Sequence, residues 1–200
     1  MNSNAVDERP TIIALAGSNG AGKSTFYATY LAGLGWPFVN ADVLAKELEI
    51  DPYAAAKIAQ ERRGDLIKQG VSFIFETVLS DPIGDKVIFL ADTAKTGFNV
   101  ILCFIAISKP ELSIQRVGMR VSQGGHDVPI GKLRARHERT LENLKRAIRV
   151  LPQVRIYDNS DLSKPYEHVA TFENGQSQFG IGLLSGWLLE LLASEFYPDA

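Results

Sequence analysis

Nine consecutive residues, Gly17-Ser18-Asn19-Gly20-Ala21-Gly22-Lys23-Ser24-Thr25, match the phosphate-loop pattern G-x-x-x-x-G-K-[ST] without a mismatch. The glycines admit backbone angles closed to residues with a side chain, so successive N–H groups can turn inward around an anion. A helix following the loop points its positive end at the same place. Lys23 supplies a mobile charge for β- and γ-phosphates, Ser24 a hydroxyl for Mg²⁺, and Thr25 a hydroxyl for the α-phosphate. The chemistry indicated is binding of a nucleoside triphosphate with Mg²⁺, and the loop leaves the reaction open.

Two carboxylates follow short apolar runs. Asp42 comes after Phe38-Val39-Asn40 and Glu76 after Phe73-Ile74-Phe75. In an open parallel sheet the ligand lies beyond the C-terminal ends of the strands, so both acids can face the phosphate loop. A kinase uses one carboxylate to orient and deprotonate the attacking hydroxyl, and can use another for substrate or metal-bound water. Asp42 could instead cap the helix at Val43-Leu44-Ala45-Lys46. Glu76 could serve Mg²⁺ or the substrate.

A third group is cationic. Arg116 and Arg120 lie one helical turn apart and precede Ser122-Gln123-Gly124-Gly125-His126-Asp127-Val128-Pro129. The next helix carries Arg134, Arg136, Arg139, Arg146 and Arg149. Arginines around a glycine loop suit a mobile lid whose guanidinium groups match the transferred phosphoryl oxygens and whose closure excludes water. Ile130, Leu133, Leu141, Leu144, Ile148 and Leu151 form the apolar stripe of that helix. Arg134 falls at its edge, Arg136 farther round, and Arg139, Arg146 and Arg149 on the far, solvated side. His137 falls within the stripe and reads as a packed core histidine. His126 suits a turn or a substrate contact equally.

These groups need a scaffold, and the chain alternates strands with helices. Thr11–Ala16, Trp36–Asn40, Ser72–Phe75, Val100–Ile107 and Val154–Tyr157 read as strands, the last as the final strand of the sheet. Helices are expected over Phe26–Ala32, Ala41–Leu48, from Asp51-Pro52 to Gly70, from Asp81-Pro82 to Gly97, from Pro110 to Gly124-Gly125, and over Pro129–Val150. Residues 166–176 could form a hairpin around Asn174-Gly175, and Ile181–Ala193 a terminal helix closing the core. Asp158-Asn159-Ser160 reads as a loop that could border adenine. The expected architecture is a three-layer α/β/α phosphate-loop kinase-like fold with a mainly parallel sheet.

Length and composition agree with one domain over residues 1–200, with 1–10 as a loose tail. A hydrophobic fraction of 46% suits a soluble core, and a net charge of −2 argues against a broad nucleic-acid footprint. The apolar segment near the end is too short to span a bilayer. The single Cys103 lies in an apolar run as a small core residue, which fits a reducing cytosol and a cytoplasmic protein.

Gly17–Thr25, Asn40-Ala41-Asp42, Phe75-Glu76-Thr77 and the block from Arg116 through Gly124-Gly125-His126-Asp127-Val128-Pro129 to Arg134 together resemble the zeta-toxin family, especially its compact bacterial members. The resemblance spans about residues 11–160. Zeta toxins phosphorylate the 3′-hydroxyl of the amino sugar in UDP-N-acetylglucosamine. The resemblance therefore implies ATP and Mg²⁺, with Asp42 as general base and Lys23 as the phosphate-loop lysine. It implies that Glu76 and Thr77 hold the sugar nucleotide, that Arg120 and Arg134 brace the γ-phosphate with Arg116 as a substitute, and that a small antitoxin could be a partner. A nucleotide-binding regulatory ATPase without transfer is the competing reading. A motor ATPase is disfavoured, because the chain lacks the Leu-Ser-Gly-Gly-Gln signature and a clear four-apolar-then-Asp strand.

Overall fold

The computed structural model describes residues 8–122, 128–178 and 185–196. Strand β1 (Thr11–Ala16) is apolar and buried on both faces, as the centre of a parallel sheet requires. β3 (Phe73–Thr77) and β4 (Asn99–Ala106) flank it in parallel. β2 (Phe38–Val39) adds to β3, and β5 (Gln153–Asp158) to β4, also in parallel. β6 (Glu167–Glu173) and β7 (Gln176–Ser177) continue antiparallel, giving the order β2-β3-β1-β4-β5-β6-β7.

The hairpin around Asn174-Gly175 is therefore present, with both turn residues at positive φ (49° and 80°). The expectation that Val154–Tyr157 ends the sheet is corrected, since β6 pairs along the whole of β5. The sheet reverses its order of addition at β1, which places the ligand crevice at the end of that strand, where the phosphate loop begins.

Side chains alternate between two faces of the sheet. Ile12 and Ala14 of β1, Phe73 and Phe75 of β3, and Leu102 and Phe104 of β4 pack against α4 (Asp85–Lys95), α6 (Ile130–Val150) and α7 (Gly186–Phe196). Ile13, Leu15, Ile74, Cys103 and Ile105 face α1 (Lys23–Phe26) and Leu112 of α5 (Pro110–Ser122). Helices on both faces give the expected three layers. Burial pushes the Cys103 thiol up to about 11, as befits a packed core residue.

α2 (Ala41–Leu48) and α3 (Pro52–Lys68) fall where the sequence places them. Asp51 caps α3 by accepting the N–H groups of Tyr53 (2.9 Å) and Ala54 (3.1 Å), with Pro52 in the first turn. Three local expectations change. The helix after the phosphate loop departs from α geometry, continuing from α1 as a π turn (Tyr27–Leu31) and a 3₁₀ turn (Ala32–Leu34). β2 is limited to two residues. α4 begins at Asp85 rather than at Asp81-Pro82, because Gly84 at φ 85° interrupts the helical run. The Gly124-Gly125 stop and residues 181–184 of the terminal helix lie outside the described residues. Among the described residues no helix is long and apolar enough to cross a membrane.

Candidate functional site

The loop between β1 and α1 is held from outside by its carbonyls. Lys23 Nζ donates to the carbonyls of Gly17 (3.0 Å) and Ser18 (3.2 Å). Ser113 Oγ donates to Asn19 O (2.6 Å), and Arg116 donates to Gly20 O (3.5 Å). Asn159 Nδ2 donates to Ala21 O (2.8 Å), and the Tyr166 hydroxyl to Gly22 O (3.0 Å). Six successive carbonyls thus have side-chain partners, those of residues 19–22 from outside the loop, which leaves loop N–H groups to line the cradle. A Cβ on Gly17 would sit 2.2 Å from Ile105 O, and one on Gly22 would meet Asn159 Nδ2 at 2.6 Å and the Tyr166 hydroxyl at 2.8 Å. The cradle therefore requires glycine at both positions, at φ 144° and 95°.

Lys23 is buried, and burial pulls its pKa below the ordinary lysine value, while Glu76 and then Asp42 oppose that shift and Arg120 adds to it. Glu76 is the hub. Its Oε1 lies 3.6 Å from Lys23 Nζ, and its Oε2 accepts from Ser24 Oγ (3.1 Å) and Asn40 Nδ2 (3.0 Å). A hydroxyl and a carboxylate side by side at the loop are a hard-oxygen donor pair suited to Mg²⁺, which takes few protein ligands and keeps waters and phosphate oxygens.

Asn40 also caps α2, its Oδ1 accepting from Asp42 N (2.8 Å) and Val43 N (3.4 Å). Asp42 is therefore not the cap. It stands in the first turn, exposed, and its carboxylate takes no hydrogen bond among the described residues. Asp42, Glu76 and Thr77 share the wall of one cavity of about 450 Å³, completed by side chains of α3 and by Lys86 of α4. Thr77 Oγ1 accepts from Leu79 N (3.1 Å), which turns the chain at the end of β3.

The arginines separate by environment. Arg116 lies beneath the loop, donating to Asn159 O (2.8 Å) and Ser160 O (3.2 Å) as well as to Gly20 O. Arg120 is exposed on α5 within electrostatic reach of Lys23. Arg134 is exposed and pairs with Glu111 at 2.7 Å, so this structure does not bring it to the phosphate loop. Arg139 corrects the far-side assignment, since its Nε donates to Ser80 O (2.8 Å). With Thr140, bonded to Val78 O (2.9 Å), and Asn143, bonded to Leu79 O (2.9 Å) and Asp81 O (2.8 Å), it clamps the segment after β3 that carries Glu76 and Thr77. That clamp gives α6 a second used face beside its apolar stripe, of which Ile130 alone stays largely exposed. Gly124 to Asp127, with His126, lie outside the described residues.

Sequence reasoning missed five contributors: Asn40 at Glu76, the Ser113, Asn159 and Tyr166 tethers, and His137. The last is buried as expected, yet its Nδ1 meets Ser18 Oγ at 3.1 Å, tying α6 to the loop. The helical stripe found its burial, and no local signal gives its partner.

A family model described as Zeta toxin matches residues 52–170, more than half of the chain. The chain belongs to the zeta-toxin family. Its phosphate loop and Asp42 precede the matched segment, while Glu76, Thr77 and all the arginines discussed fall within it. An uncharacterized protein of Haemophilus influenzae is 32% identical over 120 residues, 57% of this chain and 83% of that one. Among solved structures, a chain of the AvrRxo1-ORF1:-ORF2 complex with ATP superposes with a TM-score of 0.66 at 19% identity. The match covers 96% of this zeta-toxin-family chain and 65% of that one, so this chain spans somewhat less than two thirds of its length. The PezAT chromosomal toxin–antitoxin system of Streptococcus pneumoniae superposes at 0.56 with 17% identity, covering 96% of this chain and 80% of that one. At these identities the superpositions show a shared fold.

Proposed function

We propose that this chain transfers the γ-phosphoryl group of ATP to a hydroxyl of a sugar nucleotide such as UDP-N-acetylglucosamine. One observation carries the reading: an exposed, unbonded carboxylate, Asp42, opens onto the same cavity as Glu76, which is itself joined to the phosphate-loop lysine. Family membership and the ATP named for the AvrRxo1 complex support it.

In this reading Lys23 leaves the Gly17 and Ser18 carbonyls and follows the β- and γ-phosphates. Ser24 and Glu76 are the residues that would hold Mg²⁺, which offsets phosphate charge when bound. Asp42 accepts the proton of the acceptor hydroxyl as its oxygen bonds to the γ-phosphorus and the bond to the β–γ bridging oxygen breaks, leaving ADP. Arg120 steadies the transferred group, with Arg134 joining it only after leaving Glu111. Arg116 braces the loop. Because the PezAT system pairs a toxin with an antitoxin, a small inhibitory protein is the partner this reading adds.

Mass spectrometry of ATP incubated with the protein and a panel of sugar nucleotides tests the reading. A gain of one phosphate on UDP-N-acetylglucosamine, lost in Asp42→Asn with ATP binding intact, is the expected result. Gain on a different molecule would remove that acceptor and keep the kinase. ATP binding with no acceptor modified, and no consequence of Asp42→Asn, would replace the kinase by the regulatory ATPase.

A further inference from the structure

Arg63, on α3, has no partner that explains its burial. The residue is 8% exposed, and its guanidinium carbon lies 5.1 Å from the ring centre of Phe75 and 5.8 Å from that of Phe89. Its Nε is buried without a hydrogen-bond acceptor, and no carboxylate among the described residues pairs with it. Burial pulls its pKa below the ordinary arginine value. Removing a cation from water without an anion is costly, and two ring faces recover only part of that loss. An apolar side chain of similar length would fill the space between β3 and α4 without the penalty.

The position of Arg63 gives the burial a use. Its side chain lines the cavity that holds Asp42 and Glu76. Lys57, exposed and six residues earlier on α3, and Lys86, in the first turn of α4, line it too. Neither lysine forms an ion pair among the described residues. The cavity thus carries carboxylates from the strand-end elements and three unpaired cations from α3 and α4. A neutral alcohol would leave all three cations without a partner. An acceptor with an anionic group would engage them and be oriented by the opposite signs, its hydroxyl toward Asp42.

We propose that Arg63, with Lys57 and Lys86 beside it, binds a phosphate or carboxylate group of the acceptor and so selects anionic hydroxyl compounds. Arg63 is then a specificity-determining residue. The proposal rests on the kinase reading for the role of the cavity, and adds which side chains hold the anionic part of the acceptor.

The test is calorimetric titration of the whole chain saturated with Mg²⁺ and a non-hydrolysable ATP analogue, so that the phosphate loop is filled. The probes are UDP, inorganic pyrophosphate, glucuronate and neutral N-acetylglucosamine. At least one anion should bind about tenfold or more tightly than the neutral sugar, and Arg63→Gln should remove about tenfold or more of that affinity while Arg63→Lys restores part of it. Preference for the phosphate probes or for glucuronate tells which anionic group is read. Equal affinity for neutral and anionic probes, or Arg63→Gln equal to wild type, overturns the proposal.

Should Arg63→Gln fail to fold, Lys57→Gln/Lys86→Gln carries the test. It should weaken the anion about threefold or more with the affinity for the ATP analogue unchanged, and undiminished anion binding overturns the proposal. A transfer assay on the same proteins separates the two readings. Phosphorylation that ignores Arg63→Gln keeps the kinase and removes the anion site. Anion binding that depends on Arg63, with no acceptor ever phosphorylated, keeps the site and removes the kinase.

Discussion

The phosphate cradle and the neighbouring cavity solve opposite problems. Around the cradle each carbonyl from Gly17 to Gly22 has a partner, contributed by α1, α5, the end of β5 and the loop that follows it. Across Glu76, the cavity wall holds a carboxylate with no hydrogen bond, an arginine with an unsatisfied Nε, and two lysines without ion pairs. The first region is preorganised, its geometry met by contacts within the chain. The second is uncommitted, with polar groups whose partners come from outside. Preorganised donors suit a ligand part common to every turnover, the triphosphate, because the loop backbone is already held and only the Lys23 side chain has to change partners. Unpaired groups suit the part that must be told apart, because a ligand lacking the matching groups leaves them unsatisfied.

The sharpest way to break the contrast is to disturb the cradle. Gly17→Ala drives a methyl group to 2.2 Å from the backbone of β4 and should destabilise the fold by about 3 kcal/mol or more, read as a fall in thermal midpoint together with loss of ATP binding. An unchanged midpoint would mean that the loop is less fixed than its contacts indicate. Next comes the uncommitted side. Asp42→Asn should leave the thermal midpoint near wild type, because the carboxylate supports nothing in the fold, and lower kcat by about 10²–10⁴. Stability lost without kcat lost would reverse the assignment of the two regions.

Asn159→Ala frees the Ala21 carbonyl and should remove about 1–2 kcal/mol, with a weaker hold on ATP and an unaltered acceptor KM. A change in acceptor KM alone would place Asn159 on the other side of the contrast.

His137 offers a finer probe. Burial pulls its pKa below the ordinary imidazole value, against the opposing pull of Glu111 and then Glu138, so the folded chain favours the neutral ring bonded to Ser18. The unfolded chain takes up the proton near about pH 6.5, and below that it binds more protons than the folded one. Stability should therefore fall as pH drops through the range just below that value, and His137→Gln should flatten this step in urea titrations followed across pH.

The smallest effect is expected at Arg134. Arg134→Gln breaks only an exposed pair with Glu111 and should leave the thermal midpoint unchanged. A fall in kcat in the same variant would show that the side chain leaves Glu111 to act on the phosphate.

Much of this was legible beforehand, and the reason lies in what is local. The phosphate loop consists of adjacent residues whose types fix their own backbone. Asp51-Pro52 start α3 through bonds spanning two and three residues. The continuous apolar runs of β1 and β4 mark strands buried on both faces. Cap identity was harder: Asn40 and Asp42 both suit an N-terminal turn, and only the backbone path decided that Asn40 caps while Asp42 stays free. Helical periodicity placed His137 inside but could not show its partner, 119 residues earlier in the chain. It also assigned Arg139 to solvent, because a helical wheel does not know that the segment after β3 returns to cover that flank.

The sequence by itself determined that this chain carries a phosphate-loop motif, that its strands alternate with helices, and which residue types the proposed transfer can draw on. Those properties depend on neighbours within a few positions, where spacing and propensity act directly. Tertiary structure alone decided that Glu76 gathers Lys23, Ser24 and Asn40, that Arg116 is tied under the loop while Arg134 is held by Glu111, and that Arg63 stands unpaired in the wall shared with Asp42. Charges on different elements acquire partners, or go without, only when the sheet brings those elements together.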